Sequence, residues 1–97
     1  MTSYNAISST CAALVAAEIG SSPTWAAVHA AAKKLLTPDF QVIGYRSDLT
    51  GDHVLYVYPM HCTSVPCLEI DTAYECNTIP KAARSIATLL SHTGRFA

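Results

Sequence analysis

Apolar positions follow a helical period at both ends of the chain and take on strand character in its middle. Ile7, Cys11, Leu14, Val15 and Ile19 share one face, which predicts a first helix over residues 6–19. Gly20 then stands where glycine is favoured after a helix. Ser22 and Pro23 read as a cap and a first helical position for a second helix that runs to Leu36. Its buried stripe is Trp25, Val28, Ala32, Leu35 and Leu36, and Pro38 ends it by disfavouring helical backbone in the residue before it.

Three strands are predicted next. Phe40–Arg46 is rich in branched and aromatic residues, and residues 48–52 carry turn chemistry with Gly51 in the left-handed position. Residues 53–60 form the most apolar strand, with apolar side chains at both parities. That composition predicts a central strand covered on both sides, or nearly so. A short hairpin loop at residues 63–66 leads to a third strand over residues 67–76. There Leu68, Ile70 and Tyr74 face inward, and Glu69, Asp71 and Glu75 face water. Asn77 or Thr78 caps a last helix with Pro80 in its first turn. Ile79, Ala83, Ile86 and Leu90 line its inner face beside Ala82 and Leu89, and Gly94 closes it.

The expected fold is α+β in the order α-α-β-β-β-α. Two N-terminal helices, a three-stranded antiparallel meander and a C-terminal helix form one domain over residues 1–97, with the helices on one face of the sheet. Composition agrees: 51% of the residues are apolar and 13% are charged, which favours a packed core over disorder. The formal net charge of −1 lacks the cationic excess that phosphate contacts need, and this argues against a nucleic-acid partner. No stretch has the length and apolarity of a membrane helix, and the start of the chain lacks the pattern of a signal peptide, so an intracellular, cytoplasmic protein is favoured. The apolar, alanine-rich first helix suits packing within its own domain or across a homodimer.

Four cysteines leave three readings open. Cys62 and Cys67 flank the hairpin loop and are candidates for a cross-strand disulfide, with Cys11 and Cys76 as a second bridge. Alternatively all four are thiols, Cys11 and Cys76 being small core residues. A zinc site from His61, Cys62, Cys67 and Cys76, with or without His53, has the right ligand types but lacks a second closely spaced pair. No metal site, no cofactor and no catalytic residue is therefore expected. A nucleophilic pair of Cys62 or Cys67 with His53 or His29 has no local signature around it.

Tyrosine carries the strongest hint of a binding surface. Tyr45, Tyr56, Tyr58 and Tyr74 all lie on predicted strands, and tyrosine joins a large contact area to a polar tip. Either Tyr56 or Tyr58 is expected to face the core. Tyr45, Tyr58, Glu69, Asp71 and Glu75 form the candidate surface, whose acidic character suits a basic partner.

From Trp25 onward, the order helix, three strands, helix resembles the double-stranded-RNA-binding domain. Pro38 and Phe40 match its opening of the first strand, Gly51 and His53 its glycine-and-histidine loop, and Lys81, Ala82 and Ala83 the start of its last helix. The resemblance implies RNA contact through His53, Lys81 and Arg84. The family's lysine cluster and the glycines before its last helix are missing, and the third strand is acidic, which implies weak or lost RNA binding. In size, near-neutral charge and lack of motifs the chain is also similar to phage-encoded inhibitors of bacterial defence such as anti-CRISPR proteins. The expected function is thus a small non-catalytic protein that acts by protein–protein contact. An RNA-binding-like domain and a secreted, disulfide-stapled effector or toxin are the alternatives.

Overall fold

A computed structural model describes residues 9–62, 64–74 and 78–94. Within them the order is α1 (Ser9–Ile19), α2 (Trp25–Leu36), β1 (Phe40–Arg46), β2 (His53–Pro59), β3 (Leu68–Asp71) and α3 (Ile79–His92). This is the expected α+β order. The sheet is antiparallel throughout, and its spatial order β1-β2-β3 repeats the chain order.

Register divides the sheet into two faces. Val42, Val57 and Leu68 lie side by side across the strands, as do Gly44, Leu55 and Ile70. These rows meet the helices: Leu55, Val57 and Ile70 are buried in one cluster with Cys11, Val15, Val28, Leu36, Ile86 and Leu90. Full burial of each large side chain in that cluster contributes roughly 1.5–3 kcal/mol. α1 packs on α2 and α3, and α2 also packs on α3 and β1. The alternating rows, Ile43–Tyr56–Glu69 and Tyr45–Val54–Asp71, point to the opposite face and contribute nothing to the core cluster.

Several local expectations are corrected. The cap of α2 is Thr24, not Ser22; its hydroxyl accepts the Ala27 N–H at 3.1 Å, and Pro23 precedes the helix. Among the described residues, only one face of strand β2, that of Leu55 and Val57, joins the core cluster with the helices. Tyr56 and Tyr58 both point away from the helices, because residues two apart on a strand share a face. The third strand stops at Asp71, well short of residue 76. There the Asp71 carboxylate accepts the Ala73 N–H at 2.9 Å and its carbonyl accepts the Tyr74 N–H at 3.1 Å. This side-chain turn competes with the ladder, and it leaves Tyr74 exposed in the turn instead of inward on a strand. Glu75 and Cys76 lie outside the described residues, and so does the candidate Cys11–Cys76 bridge.

At this same end of the sheet, Thr72 ties the β1–β2 turn to the end of β3. Its hydroxyl accepts the His53 N–H at 2.8 Å and donates to Asp52 Oδ1 at 3.1 Å. Gly51 has φ +78°, the left-handed backbone predicted for it. The last helix begins at its Thr78 cap and is followed by Gly94 at φ +74°, as expected. Ala87 joins its inner face unforeseen.

Candidate functional site

The helix-free face of the sheet brings together most of the predicted surface. Gln41, Ile43 and Tyr45 of β1 lie beside Val54, Tyr56 and Tyr58 of β2, and these beside Glu69 and Asp71 of β3. Ile43 and Tyr45 are 48% and 54% exposed, which is unusual for large apolar side chains in the middle of a strand. Val54, between Tyr45 and Asp71 in register, is buried although it does not belong to the core cluster. The rings of Tyr56 and Tyr58 lie 6.3 Å apart, tilted by 51°.

Tyr56 is the centre of this group and was missed as a surface residue. Partial burial pushes its phenol above the ordinary value, and the neighbouring Tyr45, Asp71, Glu69 and Tyr58 push the same way. The same causes show that these groups share one electrostatic neighbourhood. The eight outward positions carry two carboxylates, Glu69 and Asp71, and neither lysine nor arginine. The face is therefore apolar and aromatic with an acidic side. Parity would have found Tyr56, since its register is that of Tyr58.

Exposed apolar side chains are concentrated in the same part of the molecule. Among the described residues the large ones are Ile43, Tyr45, Leu49, Met60, Val65 and Tyr74. All six belong to the meander, its loops or the turn that follows it, and none to a helix.

The other candidates are not assembled. Cys62 and Cys67 are exposed free thiols, so of the readings left open the cross-strand disulfide is not formed. Cys62 Sγ instead lies 3.1 Å from Ser64 Oγ. Hydrogen bonds from the Ser64 hydroxyl, and from the backbone N–H groups of Ser64 and Val65, hold its thiol below the ordinary value. His53 opens β2, at the far end of a seven-residue strand from Cys62, about 20 Å by strand rise, so it serves neither thiol. His29 packs its ring against Gly44 of β1. Among the described residues no three His, Cys, Asp or Glu side chains lie close enough to hold a metal ion.

The residues implied by the RNA resemblance sit on separate elements. Lys81 and Arg84 are exposed on α3. The His53 ring is stacked on Trp25, with centroids 6.2 Å apart and planes 19° apart. No helix of the described chain is long and apolar enough to cross a membrane. Comparison with known proteins finds no matching family model, no matching curated protein and no matching solved structure, so the fold and the surface carry the functional argument by themselves.

Proposed function

We propose that this chain is a small non-catalytic binding protein whose helix-free sheet face docks on another protein with a basic surface. The observation that carries the proposal is that, among the described residues, all large exposed apolar side chains lie in and around the meander. Contiguous exposed apolar surface beside polar groups is characteristic of interaction sites. Tyrosines are preferred anchors at such sites because they bury much area at little entropic cost. Glu69 and Asp71 select the sign of the partner, since complementary charge steers encounter and rejects like-charged surfaces. Size and near-neutral charge fit an inhibitor that acts by covering a working surface of its target, as phage-encoded inhibitors of host defence do.

The test is photo-crosslinking in the cell of origin. A crosslinking side chain replaces Tyr45 in one variant and the exposed helical residue Ala30 in another. The expected result is a discrete protein adduct from position 45 alone, lost when Glu69→Lys is added. Glu69 is the cleaner charge to reverse, because the Asp71 carboxylate also holds its own turn. Adducts from both positions, an adduct with RNA, or an adduct indifferent to Glu69→Lys would each sink the proposal.

A further inference from the structure

A second site lies where the start of α2 meets the β1–β2 end of the sheet. A pocket of about 210 Å³ opens there, lined by Trp25 and His29 of α2, Arg46 of β1, and His53, Val54 and Leu55 of β2, among others. Its volume is below the roughly 300–1,000 Å³ of pockets that take drug-sized molecules, so it suits a single ring.

Four nitrogen-bearing side chains, Trp25, His29, Arg46 and His53, line this space, and among the described residues no carboxylate does. Among the described residues Arg46 makes one hydrogen bond, from Nε to the Gly51 carbonyl at 3.3 Å. Its Nη2 lies 3.3 Å from where a Cβ on residue 51 would stand, so Gly51 lets the guanidinium close onto the turn. Among the described residues the fork has no acidic partner, and the ion pair found there, Lys34 with Glu18, is elsewhere. The two imidazoles are held by packing: His53 stacks on Trp25, and His29 sits against Gly44. The His53 backbone is further pinned by Thr72.

We propose that this pocket binds a small aromatic molecule carrying one carboxylate or phosphate, with the ring against Trp25 and the anion on the Arg46 fork and the two histidines. A fixed guanidinium matches the planar, two-point geometry of carboxylate and phosphate oxygens. The same guanidinium repels a metal cation from the histidine pair, so the pocket selects anions. Pre-placed donors reduce the ordering that binding must otherwise impose. The pocket shares Tyr45 and Val54 with the edge of the outward sheet face but not the row at Glu69, so its test, read at Arg46 and His53, is distinct from the Glu69→Lys test of the docking proposal.

Trp25 is the single tryptophan of the chain, so its emission reports on this pocket alone. The experiment titrates the intact protein with phenyl phosphate, benzoate, phenol and inorganic phosphate while following that emission. Saturable change is expected with phenyl phosphate or benzoate, and the stronger of the two identifies the anion. Phenol and inorganic phosphate are each expected to bind at least about ten-fold more weakly, the loss of one charge-assisted hydrogen bond or of the ring contact. Arg46→Gln should weaken the better ligand by at least about ten-fold and Arg46→Lys by less, with Lys81→Gln indifferent. Should Arg46→Gln fail to fold, His53→Phe keeps a ring on Trp25, removes the nitrogens, and is expected to weaken binding likewise. No saturable change up to about 10 mM, equal affinity for phenol, or full affinity in the folded Arg46 or His53 variant would overturn the proposal.

Discussion

The imidazole of His29 fills the space that a side chain on residue 44 would need: a Cβ built on Gly44 would lie 2.7 Å from its Cδ2 and 2.8 Å from its Cγ. Glycine at this point lets α2 approach the sheet beside Leu55, its partner in register. Gly44→Ala is expected to lower stability by about 1–3 kcal/mol, the usual cost of overpacking, as read by urea unfolding. Adding His29→Ala should recover part of that loss. Losses that merely add would mean the two residues do not compete for the same space.

The helix start offers a sharper comparison, because sequence and structure name different residues. Thr24→Ala should cost about 1 kcal/mol of unfolding free energy, and Ser22→Ala close to nothing. Equal effects in thermal or urea melts would contradict the Thr24 bond to Ala27.

These cases show what the sequence makes legible. β1 is found with its observed bounds, because a branched and aromatic run is bracketed by Pro38 and by the turn around Gly51. The third helix likewise follows from Thr78, Pro80 and the apolar stripe from Ile79 to Leu90. The orientation of Tyr56 was obscured because β2 is apolar at both parities, so alternation gave no sign of a bare face. The early end of β3 depends on one carboxylate, Asp71, turning back on its own backbone, a choice that strand propensity does not register. The pocket was invisible for another reason: Trp25, Arg46 and His53 come from three separate elements, and nothing in their spacing announces that they meet.

Alkaline titration tests the crowding around Tyr56. Its phenol is raised in the folded protein, so below a pH of about 10 it is protonated in both states and has no effect on stability. As pH rises past that value the unfolded chain loses the proton first, and stability falls. Urea midpoints measured between about pH 9 and pH 11 should therefore decline, and Tyr56→Phe should flatten the decline. A decline of the same slope in the variant would place its cause elsewhere.

Cys62 should be the fast-reacting thiol of the hairpin. Its depressed value raises the thiolate fraction near neutral pH, and the side chain is exposed. Removing the Ser64 hydroxyl with Ser64→Ala is expected to slow its alkylation by iodoacetamide by roughly a factor of two or more, followed by mass spectrometry over time. An unchanged rate would mean that the 3.1 Å contact does not activate the sulfur.

The sheet order β1-β2-β3 also has a consequence in time. Neighbours in the meander are neighbours in sequence, so the sheet closes through short loops, whereas α1 reaches α3 only by bringing together segments some seventy residues apart. Local closure comes early and distant closure late. In stopped-flow experiments Leu55→Ala, in the middle of the sheet, is expected to slow refolding. Val15→Ala, where α1 meets the core, is expected to leave refolding nearly unchanged and to hasten unfolding instead. The helix at the start of the chain would then be the last to dock, and its hold on the core would set how long the folded state survives rather than how quickly it forms.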